Sequence, residues 1–299
     1  MPLDLTGQPL IDRSDFQQLL EANYFGRWRE EAISLHDKGY CVVNLSKSDW
    51  LANIDEVIED LQPLLEADLK LWDCGESGPP RLQDGWIDHG SIKALALEPI
   101  VLDLLRHLYG REPFAFQTLN FAVGSEQHFH SDAVHFHSYP NGFMCGVWIA
   151  LQDVQSESGP LIYFPGSHRL PYLSSRSLGL VRDAVMGERH PQRFFEPSWQ
   201  QAVNEHAFEK QQFLPKRGDL LIWHANLLHG GEPVQDKTSR RWSQVNHYFF
   251  ANCLYTTPMR NFASEEGGTC LRNPFDIAKG TQRFNHVEWQ DLNPTLSKV

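Results

Sequence analysis

The residues best able to do chemistry lie in the stretch from Gln127 to His137, which reads Gln-His-Phe-His-Ser-Asp-Ala-Val-His-Phe-His. Four of the fourteen histidines fall there, with an aspartate among them. If the stretch is extended, residues two apart share a face, and His128, His130 and Asp132 point the same way. Two imidazoles and a carboxylate converging on one side are the beginning of a divalent metal site. His-x-Asp is cheap on its own, since about one chance match is expected in a chain this rich in histidine. His286-Val287-Glu288 is a second match of the His-x-acid form.

What lifts His130 and Asp132 above that noise stands downstream. His229 lies in Asn226-Leu227-Leu228-His229-Gly230-Gly231, where glycines allow a close backbone approach. Arg240 follows, just before the apolar run from Trp242. A redox-active Fe(II) that must also take an organic co-substrate and O2 needs three protein ligands on one face and an open opposite face. A buried arginine then offers a fixed, bidentate cation to the far carboxylate of a dicarboxylate co-substrate. His130, Asp132, His229 and Arg240 meet those demands in that order. His128 shares the ligand face and competes with His130. His135 and His137 read as pocket lining or substrate contacts, with plain polar surface as the competing reading. His168 reads as holding the turn after Pro165-Gly166, and His224 as packing behind the distal histidine. A zinc hydrolase on the same two histidines and aspartate has no use for Arg240, and H-E-x-x-H is absent.

The elements that must position these residues follow from patterning. Ser14 to Asp37 has helical apolar spacing. A second helix is expected from Ser48 through Leu61, limited or bent by Pro63. Asp73 to Gly90 reads as a loop, and Ser91 to Tyr109 as a helix stopped by Gly110. After that the pattern turns to strands: Phe114–Val123, Met144–Val154, Leu161–Phe164, Gly218–Trp223 and Trp242–Ala251. A polar insertion, about 169–215, reads as a lid or binding loop with some helix. From Thr256 onward irregular packing is expected. Helices followed by short strands predict a mainly β fold with flanking helices, built on a double-stranded β-helix, a cupin-like jelly roll. The 299 residues are expected to form a single domain: helical support over 1–112, the jelly-roll core over 113–255, and a C-terminal extension over 256–299.

Composition narrows the partners. A formal charge of −12 argues against nucleic acid or an anionic membrane as partner. Five scattered cysteines with no C-x-x-C pair argue against a disulfide framework. The start has no basic and apolar signal pattern, and no apolar run approaches the ~20 residues of a membrane span. The expectation is a cytoplasmic protein acting on a small molecule, with nothing in the pattern to specify an oligomeric state.

These motifs together resemble the phytanoyl-CoA dioxygenase family of Fe(II)/2-oxoglutarate-dependent oxygenases. The matching pieces are Gln127-x-x-His130-x-Asp132, the run Val147 to Val154, and Gly159-Pro160-Leu161-Ile162-Tyr163-Phe164-Pro165-Gly166-Ser167-His168. Gly218-Asp219-Leu220 through His229-Gly230, then Arg240, complete the set. The resemblance implies His130, Asp132 and His229 as iron ligands and Arg240 as the anchor of the 2-oxoglutarate C5 carboxylate. It also implies Trp148 and Gln117 or Asn120 as co-substrate pocket residues. Arg241, next along a strand, is expected to face the other way, and a one-residue shift of the anchor stays open. Many members carry Ser two residues after the distal histidine, where this chain has Gly231. Relatives that halogenate lack the carboxylate ligand, so Asp132 implies hydroxylation or a related oxidation, with succinate and CO2 released. The alternative is a non-catalytic jelly roll that binds a metal or small ligand, a descendant free to lose any of the four residues.

Overall fold

Asn23 and Gly26, both at a positive φ of 53°, break the first helical stretch in two, because a right-handed helix cannot continue through left-handed backbone. The computed structural model describes residues 7–45, 48–262 and 269–283, so the His286/Glu288 match lies outside the described residues. The stretch expected as one helix forms α1, Phe16–Glu21, and α2, Arg29–Lys38, which Gly39 ends in a left-handed cap. β1 is Tyr40–Asn44, and α3 spans Ser48–Asp73, continuing past Pro63 rather than stopping there. The expected loop after it holds a short strand, β2, Arg81–Gln83. The third helical stretch also splits, into α4, Gly90–Ala96, and α5, Pro99–Tyr109. Pro99 has no N–H to give the previous turn, and Glu98 caps the new helix by accepting from the Ile100 N–H.

The strands then follow: β3, Pro113–Phe121; β4, His137–Tyr139; β5, Met144–Ala150; and β6, Leu161–Tyr163. The insertion contributes α6, Arg182–Met186, α7, Glu196–Glu205, and β7, Gln211–Phe213. β8, Asp219–His224, β9, His229–Gly231, β10, Ser243–Phe250, and β11, Leu254–Thr256, complete the core strands. The C-terminal stretch, expected to be irregular, includes a small hairpin of β12, Phe275–Asp276, and β13, Thr281–Gln282. Its Ile277 N–H donates to the Ala115 carbonyl of β3, which ties it to the large sheet.

Six strands form one antiparallel sheet in the order β1-β8-β5-β10-β3-β2, and three form a second in the order β7-β6-β9. Both faces of the large sheet are buried, which explains why β5 and β8 read as continuous apolar runs. Alternation sorts their side chains cleanly. Trp148, Leu221, Trp223 and Val245 face the small sheet and pack with Leu161, Tyr163 and Phe213. Val147, Ile149, Leu220 and Ile222 face the other way and pack under Leu35, Ile54, Leu61 and Leu105 of the helices. Two packed sheets braced on one face by N-terminal helices are the jelly roll expected of the sequence. Among the described residues no helix is long and apolar enough to cross a membrane.

Two histidines remote from the chemistry couple this fold to pH. His168 donates from Nε2 to the His36 carbonyl at 3.1 Å, pinning the turn after β6 to α2, and burial pushes its pKa down to about 3. Burial likewise takes His137 down to about 4. An unfolded histidine titrates near ~6.5, so below that pH the unfolded chain binds protons that the folded chain refuses. Stability is therefore complete above about pH 6.5 and lost as pH falls toward the folded values. Thermal melts should show the midpoint falling between about pH 7 and about pH 5, and His168→Gln should flatten part of that slope. A midpoint flat across that range contradicts the assignment.

Candidate metal centre

His130 and His229 are joined through their backbones. The His130 N–H donates to the His229 carbonyl at 2.8 Å, and the His229 N–H to the His130 carbonyl at 3.0 Å, an isolated antiparallel bridge at the edge of β9. Gly230 permits this contact. A Cβ there would lie 2.7 Å from the Gln127 carbonyl oxygen and 2.8 Å from the Phe129 Cα, both backbone atoms that cannot yield. The 127–132 segment is therefore not the alternating strand expected. His130 is a lone bridge residue, and Asp132 reaches the site by opening a 3-10 turn, Asp132–Val134, with Ser131 as its cap. His128 is exposed, at the cavity rim, with Nδ1 bonded to the Phe129 carbonyl at 2.9 Å.

Tautomers follow from the partners, since a carbonyl only accepts. His130 Nδ1 donates to the His128 carbonyl at 2.9 Å, and His229 Nδ1 to the Leu227 carbonyl at 3.0 Å. Each ring thus turns an Nε2 lone pair toward Asp132. His130 Nε2 is 3.6 Å from Asp132 Oδ1, and His229 Nε2 is 3.7 Å from Oδ2. One donor atom from each of the three residues lies within 4.8 Å of the others, and all three residues are buried. Three lone-pair donors facing one point repel each other unless a cation lies between them. Two nitrogens and one carboxylate oxygen suit a divalent transition metal that keeps other coordination positions open.

The aspartate is held from behind. Trp223 Nε1 donates to Asp132 Oδ2 at 2.8 Å. His247 on β10, which the sequence reading missed, brings its Nε2 to 3.5 Å from the same oxygen, and its Nδ1 has no hydrogen-bond partner. Its signal was an imidazole in the middle of a strand that is buried along its whole length. Burial alone would raise the Asp132 carboxyl, but the surrounding imidazoles of His229, His130 and His247 outweigh it and hold the group well below the usual range. Burial would lower His130, yet Asp132 beside it lifts the net value above the ordinary one. Burial dominates at His229, which falls to about 4 and is therefore neutral and ready to ligate at neutral pH.

The triad sits in a cavity of about 540 Å³ between the two sheets, lined also by Gln117, Trp148, His135 and Arg241. Several expectations are corrected here. Arg240 does not reach the cavity; its guanidinium makes a bidentate pair with Asp73 at 3.0 and 2.7 Å, at the end of α3. Arg241 is the buried arginine, 2% exposed. It donates to the Gly159 carbonyl at 3.0 Å and the Val123 carbonyl at 3.4 Å, lies 5.5 Å from the Trp148 ring, and leaves Nε without a partner. No carboxylate pairs with it among the described residues, and burial lowers its pKa to about 10. Asn120 also lies elsewhere. It is on the opposite face of β3 from Gln117 and donates to Gln244 at 3.0 Å, beneath α4. His137 lies outside the cavity lining, bonded to Asn141. His135 lines it and bonds Gln192 of the insertion at 3.1 Å.

The model of the family described as phytanoyl-CoA dioxygenase matches residues 35–242. The phytanoyl-CoA dioxygenase domain-containing protein 1 of Danio rerio is 28% identical over 155 residues, covering 50% of this chain and 49% of that protein. Its Rattus norvegicus counterpart is 28% identical over 156 residues, again half of each. This chain thus spans about half the length of those relatives. Among solved structures, EctD from S. alaskensis with 2-oxoglutarate and 5-hydroxyectoine is similar at a TM-score of 0.58 and 18% identity, with 85% of this chain and 87% of that one covered. The non-heme alpha ketoglutarate dependent carbocyclase SnoK from nogalamycin biosynthesis is similar at a TM-score of 0.58 and 17% identity, covering 80% and 90%. At such identities the likeness speaks for the fold.

Trp223→Phe keeps an aromatic ring, though a smaller one, and removes the donor to Asp132. Cobalt(II) titration followed by absorbance should show affinity falling ~10-fold or more, the usual effect of removing a partner of a ligand. Unchanged affinity would mean that Trp223 does not orient the carboxylate.

Proposed function

The chain belongs to the phytanoyl-CoA dioxygenase family, and on that footing we propose that it is a non-haem Fe(II)/2-oxoglutarate-dependent dioxygenase that hydroxylates a small molecule. The observation that carries this reading is the meeting, in one cavity, of the His130/Asp132/His229 donor set and a buried arginine with no counter-ion among the described residues. A hydrolytic metal site has no need of such an arginine. A dicarboxylate co-substrate does, because its far carboxylate can satisfy the unpartnered Nε and neutralise a buried charge.

In this reading His130, Asp132 and His229 hold iron. Bound Fe(II), with 2-oxoglutarate and O2, supplies the oxidising chemistry, and succinate and CO2 are released. The chain's own contribution is positioning and exclusion of water. Trp223 fixes the orientation of Asp132. Arg241 anchors the co-substrate, taking the role first assigned to Arg240, and Gln117 and Trp148 border the same space. The His135–Gln192 bond draws the insertion over the cavity. With Asp132 present, the carboxylate position is filled, which favours hydroxylation among the oxidations this centre can perform.

Protein supplied with Fe(II), ascorbate and 2-oxoglutarate should release succinate slowly without a prime substrate, and Asp132→Ala should abolish that release. Arg241→Ala should raise the apparent KM for 2-oxoglutarate at least ~10-fold, as expected for loss of a charge-assisted contact. Arg240→Ala should leave it unchanged. The reverse ranking of the two arginines would return the anchor to Arg240, and succinate release retained by Asp132→Ala would sink the triad.

A further inference from the structure

The charge of the cavity runs against that of the chain. Asp and Glu outnumber Lys and Arg by 38 to 26 over the sequence. The cavity is lined instead by four arginines, Arg81, Arg189, Arg193 and Arg241, against the carboxylates Asp132 and Glu196. On the functional reading above, on which this inference rests, Asp132 serves the metal and Arg241 the co-substrate. What remains is the rim. Arg193 is engaged by Glu188 at 3.2 Å. The guanidiniums of Arg81 and Arg189 are exposed, and neither has an ion-pair partner among the described residues. Glu196 supplies one opposing charge, so the rim stays net positive.

Placement makes this more than surface charge. Arg81 pairs with Phe121 across β2 and β3, and Gln83 pairs with Leu119. Phe121 and Leu119 line the cavity, so the alternation of the edge strand aims Arg81 and Gln83 at the same space. Arg189 comes from the insertion, three residues before Gln192, whose amide oxygen accepts from His135 at 3.1 Å and holds that segment beside the metal centre. Gln83, Gln127 and Gln192 add amide donors to the lining. Among the described residues no lysine lines the cavity. Arginine in place of lysine suits recognition of a planar or tetrahedral oxyanion through paired N–H groups. A concave site also focuses its field on an entering anion.

We propose that the prime substrate carries an oxyanion, a carboxylate or a phosphate, seated on Arg81 and Arg189 at the rim while the carbon to be oxidised faces the metal centre. The test loads the protein with Mn(II), which binds without turnover, and adds carbon-labelled 2-oxoglutarate and inorganic phosphate. Paramagnetic relaxation of the phosphorus signal should saturate with phosphate. In the double variant Arg81→Gln/Arg189→Gln the affinity should fall ~10-fold, as for loss of two exposed charge contacts. Arg240→Gln should leave it unchanged. Labelled acetate in place of phosphate distinguishes a carboxylate from a phosphate by which saturates at lower concentration. Relaxation that never saturates, or that saturates equally in the double variant, overturns the proposal. Relaxation of 2-oxoglutarate should persist in both proteins. Its absence in the unaltered chain would overturn the functional reading, independently of the rim.

Discussion

The reciprocal main-chain hydrogen bonds between His130 and His229 are the constraint on which the centre depends. They join residues far apart in sequence at a fixed separation, so the two imidazoles are set by backbone geometry and not by packing alone. Everything near that bridge is shaped to permit it. Gly230 gives up its side chain to the passing Gln127–Phe129 backbone. Ser131 donates to the Asn226 side-chain oxygen at 2.9 Å and fixes the turn that delivers Asp132. Gly146 lies opposite Trp223 on the neighbouring strand, where a Cβ would come within 2.1 Å of the indole. That clearance lets the tryptophan lie flat enough to reach the aspartate.

Charge is distributed with the same economy. Asp132 is a buried anion, offset by Trp223 and the surrounding imidazoles. Arg241 is a buried cation whose protein partners are carbonyls, with one N–H left over. Direct pairing of the two would have neutralised both and left a site with nothing to offer a ligand. Held apart on the walls of one cavity, each keeps its capacity for a partner that comes from solution.

Much of this was legible from residue types. The strands β5 and β8 begin or end within a few residues of their expected bounds, because a sheet buried on both faces demands nearly unbroken apolar runs. The meeting of His130, Asp132 and His229 was legible because few residue types can share a metal ion. Register was less so. Arg240 and Arg241 precede β10, which begins at Ser243, so strand alternation does not yet govern which of them turns inward. Gln117 and Asn120 are three apart on one strand, and alternation alone places them on opposite faces. The helix breaks at Asn23 and Glu98 were hidden because apolar spacing continues across both. His247 was overlooked since it belongs to no short motif and acquires meaning only from the side chain it meets across the sheet.

Arg241 also bears on the stability of the fold. A guanidinium buried with no counter-charge among the described residues is a cost to the native state, and the same burial lowers its pKa to about 10. Any dicarboxylate that pairs with it removes that cost only in the folded chain, and so adds to folding stability in proportion to the logarithm of its concentration. Wherever such a ligand is present, the chain with its cavity empty is the less stable of the two forms.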